Sequence, residues 1–115
     1  MEATAEATTY NGWKNYETWV VKLWMDNEQA TYDYWRQQTA FLMSEQGLNA
    51  HRPRLTGSFT DREVSRFALA EQLKESHEDE TPTVTGVYAD LLNAALSEVD
   101  WYEIAKSLIA DHLDQ

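Results

Sequence analysis

The apolar residues of this chain recur every three or four positions, and this spacing constrains its fold more than any other feature. The clearest case follows Asn15, where the i, i+3, i+4, i+7 and i+8 positions are Tyr16, Trp19, Val20, Leu23 and Trp24. Side chains with this period lie on one face of an α-helix. We therefore predict a helix that is capped by Asn15 and that buries this stripe, including Trp19 and Trp24, in a hydrophobic core.

Four more helices are predicted from the same period and from capping pairs. A capping box places an acceptor side chain at the helix start and Glu or Gln three residues later. The pairs with this spacing are Asp26 with Gln29, Thr60 with Glu63 and Asp100 with Glu103. We expect helices at about 27–45, 60–76, 85–98 and 100–112, and we expect the last two to form a tight αα-hairpin.

Each of these helices has an apolar side that we assign to the core. In chain order the sides are Tyr34, Trp35, Phe41 and Leu42; Val64, Phe67, Ala68 and Leu73; Tyr88, Leu91, Leu92, Ala95 and Val99; and Trp101, Ile104, Ala105, Leu108 and His112. A stripe on one side of a helix is typical of a surface helix that packs on a core.

The joints between these helices are polar or contain glycine and proline. Gly47 is interpreted as a C-cap, and 47–59 as a long loop because Pro53 and Gly57 oppose a regular helix there; a short strand near Leu55 is the alternative. No internal repeat and no strand alternation is visible. We predict an all-α, single-domain irregular bundle of about five helices at 10–115, after a flexible acidic lead-in at 1–9.

Length and composition exclude several classes of protein. The 115 residues suit one domain, and the absence of cysteine excludes disulfides, thiolate zinc sites and a cysteine nucleophile. No apolar run approaches the roughly 20 residues of a membrane span. The N-terminal MEATAEATT lacks the basic and apolar regions of a signal peptide, so we expect a cytoplasmic protein.

Charge is distributed unevenly along the chain. There are 20 acidic and 9 basic residues, giving a net charge of −11. Residues 67–115 contain eleven acids and only Lys74 and Lys106 as bases, a net of −9, whereas 1–66 have a net of −2. Such a charge opposes binding to nucleic acid phosphates and anionic membranes, and it favours a basic protein surface.

Catalytic and cofactor motifs are not found. The three histidines, His51, His77 and His112, are dispersed, and the chain has no HExxH, GxSxG, P-loop or dinucleotide-binding motif. Residues 77–83, HEDETPT, are interpreted as a solvated acidic joint rather than as a cation site. We therefore expect a protein that is not an enzyme and that needs no cofactor or metal.

Partner binding is assigned first to the acidic surface. Carboxylates on adjacent helical turns are spaced by roughly 5–7 Å, similar to the phosphates of a DNA strand, so such a surface could occupy a basic cleft. The expected contact residues are Glu71, Glu75, Glu78, Asp79, Glu80, Asp90, Glu98 and Asp111. The secondary contacts are Trp13, Arg52 and Arg54.

Two other surfaces remain open as alternatives. An accessory or scaffold domain would use an aromatic patch, with Tyr10, Trp13 and Tyr32 as its candidates. A nucleic-acid-binding regulator would use a basic segment, with Arg52, Arg54, Arg62 and Arg66 as its candidates. A homodimer through an apolar patch is a further expectation, because acidic bundles of this size can associate in this way.

Two blocks of the sequence resemble a known family. Residues 11–29, NGWKNYETWVVKLWMDNEQ, and 91–112, LLNAALSEVDWYEIAKSLIADH, are similar to small uncharacterised proteins of phages, plasmids and other mobile elements, some of which are encoded near antirestriction genes. The resemblance implies a counter-defence role in a bacterial host. Together with the likeness in charge to acidic DNA mimics, it favours an anti-CRISPR or antirestriction inhibitor that binds a host defence protein or ribonucleoprotein.

Overall fold

The computed structural model describes residues 9–114, and within them the chain folds into six α-helices. The helices are α1 Tyr16–Asn27, α2 Gln29–Met43, α3 Glu45–His51, α4 Asp61–Glu80, α5 Val87–Ser97 and α6 Trp101–Leu113, with a 3-10 turn at Arg52–Arg54. No strand occurs in this part of the chain, which confirms the all-α fold. Apart from Thr9, the predicted lead-in at 1–9 lies outside the described residues.

The core lies where α4 packs on α6, with α2 and α3 against α4. Leu69 and Leu73 of α4 and Ile104 and Ala105 of α6 have no exposed surface. The stripe predicted for α6 is confirmed except at His112, which is half-buried; Trp101 and Leu108 are also buried. The sides predicted for α2 and α4 are confirmed in part, because Trp35, Leu42, Val64, Ala68 and Leu73 are buried, Phe67 is half-buried, and Tyr34 and Phe41 are exposed.

Helix α1 is rotated relative to the prediction, so its aromatic stripe does not enter the core. Trp24 is 63% exposed and Tyr16 51% exposed, whereas the buried residues of the helix are Thr18, Lys22 and Met25. Polar contacts fix this rotation. Buried Lys22 keeps its stem inside and places its ammonium 2.8 Å from the carboxylate of Asp26.

Of the four predicted helix N-caps, three are confirmed and one is wrong. The side chains of Asn15 and Asp100 cap α1 and α6, and Thr60 forms a complete capping box with Glu63. The box predicted for Asp100 is incomplete, because the carboxylate of Glu103 accepts from the N–H of Lys14 instead. The predicted box at Asp26 does not form, because Asp26 remains inside α1 with Lys22. The two helices are instead separated by one residue, Glu28, which has an extended backbone and no side-chain cap.

The loop predicted at 47–59 is correct only in its second half. Gly47 lies inside α3, where its backbone N–H donates to the hydroxyl of Ser44, the N-cap. A Cβ at Gly47 would collide with the backbone carbonyl of Phe41. The glycine is therefore required for close packing of α3 on the end of α2, and it does not mark the end of a helix.

The hairpin predicted for the last two helices is also wrong. The connection at 98–100 is short, but α5 makes at most slight packing contacts with any other helix, including α6. No residue within α5 is buried, and of its predicted stripe only Val99, just after the helix, is buried. The fold therefore leaves part of the apolar surface of α5 exposed to solvent.

Candidate functional site

The exposed face of α5 is the most distinctive surface of the C-terminal half. Tyr88 is 70% exposed and Val87 and Leu91 are each 62% exposed. The residues on the other side of the helix, Leu92 and Leu96, are half-buried, and Leu96 packs against the core cluster. The helix is therefore apolar on two sides, and only one of them is used by the fold.

The segments on either side of α5 set its position. Before it, residues 81–86 run without regular structure, and Gly86 has a φ of 66°, which favours glycine. After it, the turn at 98–100 leads directly into α6. A cleft of about 430 Å³ separates α5 from the end of α4, and it is lined by Lys74, Glu78, Thr81, Asn93, Leu96, Ser97, Val99 and Trp101.

The last two turns of α4 contain the acidic part of the site. Glu75, Glu78, Asp79 and Glu80 are exposed, and none of them forms an ion pair within residues 9–114. Their position is unfavourable for the helix, because carboxylates at a helix C-terminus oppose its dipole. Stability of α4 therefore does not account for this cluster.

His77 lies between these acids but has a structural role. Its ring stacks on Trp35 at 6.3 Å and lies 5.0 Å from the ring of Trp101. Its Nδ1 is 2.8 Å from the carbonyl oxygen of Leu73. This half-buried imidazole joins α2, α4 and α6 at the point where the acidic turns emerge, so it holds the cluster in place.

The other predicted acidic residues do not all join this cluster. Glu71 lies 2.8 Å from Arg54, so its charge is neutralised. Asp90 is exposed on α5, three residues from Val87, and Glu98 is exposed at the end of the same helix. Asp111 lies at the far end of α6, beside a small cavity shared with α1 and α2. The predicted acidic face is thus divided, and the part near α5 is the larger.

The predicted aromatic patch does not form as one surface. Trp13 is half-buried against the core and is joined to Tyr10 by two backbone hydrogen bonds. Tyr32 has the guanidinium of Arg36 5.5 Å from its ring. Tyr10 instead packs on two aromatic residues of α1, with ring centroids 5.3 Å from Tyr16 and 5.0 Å from Trp19. Sequence reasoning missed this surface because it assigned the α1 stripe to the core.

Two of the four arginines of the basic segment are neutralised by ion pairs. Arg52 lies 2.6 Å from Asp61, and Arg54 contacts both Glu71 and the ring of His51. Arg66 is half-buried, and Arg62 is exposed. Paired guanidinium groups have less charge to offer to a phosphate backbone, so the geometry disfavours a nucleic-acid interface here.

Two further kinds of site are absent from the described residues. Between Thr9 and Asp114, no group of three or more His, Asp or Glu side chains is arranged to hold a metal ion. None of the helices in that range combines the length and the apolar character that a membrane span requires.

The sequence of the chain matches a family model over residues 6–112, and that family is DUF7249, a family of unknown function. The chain belongs to DUF7249. The match includes α1 to α5 and nearly all of α6, so the surfaces described above lie within the DUF7249 domain. No curated protein and no solved structure matches the chain.

Proposed function

We propose that the protein is a non-enzymatic inhibitor that binds a basic surface of a partner protein through the end of α4 and the exposed side of α5. We name this surface the α4–α5 surface; its members are Glu75, Glu78, Asp79, Glu80, Val87, Tyr88, Asp90 and Leu91. The proposed partner is a host defence complex of a bacterium, such as a CRISPR effector or a restriction enzyme, at its nucleic-acid-binding surface.

One observation carries this proposal: an acidic helix end whose carboxylates pair with no described basic residue is followed, after residues 81–86, by a helix with one uncovered apolar side. Exposed apolar side chains such as Tyr88 and Leu91 lose contact with water when a partner covers them, which is worth about 25 cal/mol per Å². Tyrosine is also among the residues that contribute most to interfaces. The apolar side of α5 thus supplies affinity.

The acidic turns supply a different part of the interaction. Carboxylates that remain solvated at the edge of an interface mainly raise the association rate and select partners of opposite charge. They also repel nucleic acid, so a basic surface occupied by this protein is closed to DNA or RNA. The combination favours a competitive inhibitor over a general scaffold.

The experiment is capture of partners from lysates of bacteria that contain CRISPR and restriction systems, with salt steps and with or without competing DNA. We expect a nucleic-acid enzyme that salt or DNA displaces. The double variant Glu78→Lys, Asp79→Lys should lose it. The matched control, Asp111→Lys with Asp114→Lys, changes the net charge equally at the other end of α6 and should retain it; equal loss in both variants would argue against the α4–α5 surface.

A further inference from the structure

The outer face of α1 is a second exposed apolar surface, and the proposed function does not use it. Its residues are Tyr16, Val20, Leu23 and Trp24, bordered by Tyr10 and Trp19. Tyr10, Tyr16 and Trp24 are 40, 51 and 63% exposed. If each such side chain has about 200 Å², these three alone leave about 300 Å² of aromatic surface in water, as much as the largest apolar patch of many monomers.

The charges around this face are compatible with a second copy of the chain. Residues 14–28, which include α1, contain two basic and three acidic residues, a net charge of −1, whereas the main acidic cluster lies at the end of α4. Two copies that meet through α1 therefore avoid most of the repulsion that their total charge of −11 each would cause at the α4–α5 surface.

The spacing along α1 fits a two-fold axis. Tyr16, Val20 and Trp24 follow each other at single-turn intervals, with Val20 in the middle. In an antiparallel pair centred on Val20, the Trp24 side chain of each copy lies against Tyr16 of the other. A surface that is its own complement is what a two-fold dimer requires.

The ends of α1 have opposite charges in the same register. Lys14, just before the helix, is exposed, and the exposed Glu28 follows the other end, where Asp26 is already paired with Lys22. In the antiparallel pair, Lys14 of each copy lies near the acidic end of α1 in the other copy. The two-fold symmetry makes this contact occur twice. A parallel pair would bring like charges together, so charge selects the antiparallel arrangement.

We propose that α1 is a homodimer contact, with two copies packed antiparallel about Val20. Because α1 alone presents less than the about 800 Å² per partner of a standard interface, the dimer should dissociate on dilution. The α4–α5 surface remains free in both copies. A dimer would therefore bind a two-site partner with increased avidity.

Sedimentation over a range of concentrations tests the proposal. The wild type should shift from one copy to two with rising concentration, and Trp24→Lys should remain a single copy with an unchanged circular dichroism spectrum, since Trp24 contributes little to the core. Tyr88→Lys on α5 is the control and should dimerise normally. A wild type that remains a monomer at every concentration would overturn the proposal. This holds also if Trp24 is then found to bind a different protein.

Crosslinking locates the contact, because the chain has no cysteine of its own. Helix axes in contact are about 8–10 Å apart, so a short bismaleimide is better suited than a direct disulfide. Val20→Cys, next to the two-fold axis, should give covalent dimers. Val87 is more exposed than Val20, but Val87→Cys should give few covalent dimers at the same concentration. If Val87→Cys gives more covalent dimers than Val20→Cys, the contact is not at α1.

Discussion

The backbone N–H of Asp100 donates a 2.9 Å hydrogen bond to the hydroxyl oxygen of Thr18, which precedes it by 82 residues. The same hydroxyl donates to the side chain of Asn15, whose amide in turn donates to the carbonyl oxygen of Glu98. These bonds attach the start of α1 to the turn between α5 and α6. They hold Thr18 inward, so the stripe from Tyr16 to Trp24 faces solvent.

Thr18→Val should lower the free energy of unfolding by about 1–3 kcal/mol, because it leaves the N–H of Asp100 without its acceptor in a partly buried place. Urea denaturation measures this change. The matched control is Thr39→Val: Thr39 is equally buried, but its hydroxyl donates to Trp35 of its own helix, whose carbonyl remains in the helical pattern. A loss at Thr39 as large as that at Thr18 would contradict the importance of the long-range bond.

Gly47→Ala should also destabilise the fold, by about 1–3 kcal/mol, since its methyl group meets backbone atoms of Phe41 and Leu42 that cannot move independently. The measurement is again urea denaturation. Gln46→Ala is exposed in the same helix and should be neutral or slightly stabilising, because alanine favours helix. Were Gly47→Ala equally harmless, α3 would have to pack less closely on α2 than it does here.

Glu78→Lys should weaken partner binding while it stabilises the protein. A cation in the last turn of α4 complements the helix dipole, which should raise the free energy of unfolding by about 0.3–1 kcal/mol at low salt. Asp61→Lys, at the start of the same helix, should have the opposite effect on stability and also breaks the pair with Arg52. Thermal unfolding at two salt concentrations checks both signs.

The features that depend on neighbouring residues could be predicted from the sequence. Three helix caps could be predicted, at Asn15, Thr60 and Asp100. Each side chain accepts a hydrogen bond from the backbone N–H three residues later, and this separation can be read from the sequence. The buried stripe of α6 was predictable for a similar reason. Its residues Ile104, Ala105 and Leu108 lie on one face, opposite the exposed Lys106 and Ala110.

The features that depend on distant residues could not be predicted in the same way. Helix α1 has two apolar stripes about 100° apart, one with Val20 and Trp24 and the other with Val21 and Met25, so periodicity alone does not decide which stripe is buried. The bond between Thr18 and Asp100 decides it. The sequence contains a hint, since Lys22 has an acid four residues later and can be buried as a pair.

The exposure of α5 was missed for a comparable reason. Its stripe of Tyr88, Leu91 and Leu92 predicts burial, and nothing local shows that α4 and α6 already fill each other's apolar faces. Residues 77–83 were predicted to be a solvated joint after a helix that ends near Ser76, but 77–80 form the last turn of α4. The separation of this acidic turn from Asp111 follows only from the direction of α6. An unmatched apolar face is therefore visible in the structure and not in the sequence.

Leu91→Ala should change stability by less than about 0.5 kcal/mol, because the side chain is mostly in water in the folded state. Leu69→Ala, which removes the same atoms from a fully buried position, should cost about 2–5 kcal/mol. Urea denaturation compares the two.

The same Leu91 variant separates the two roles of an apolar residue. If α5 docks on a partner, Leu91→Ala and Tyr88→Ala should each weaken binding about tenfold or more while the unfolding curve stays in place, as expected for residues at the centre of an interface. Trp24→Ala should leave that binding intact when the partner has a single site. Weaker binding that accompanies a loss of stability would instead assign Leu91 to the fold and remove α5 from the α4–α5 surface.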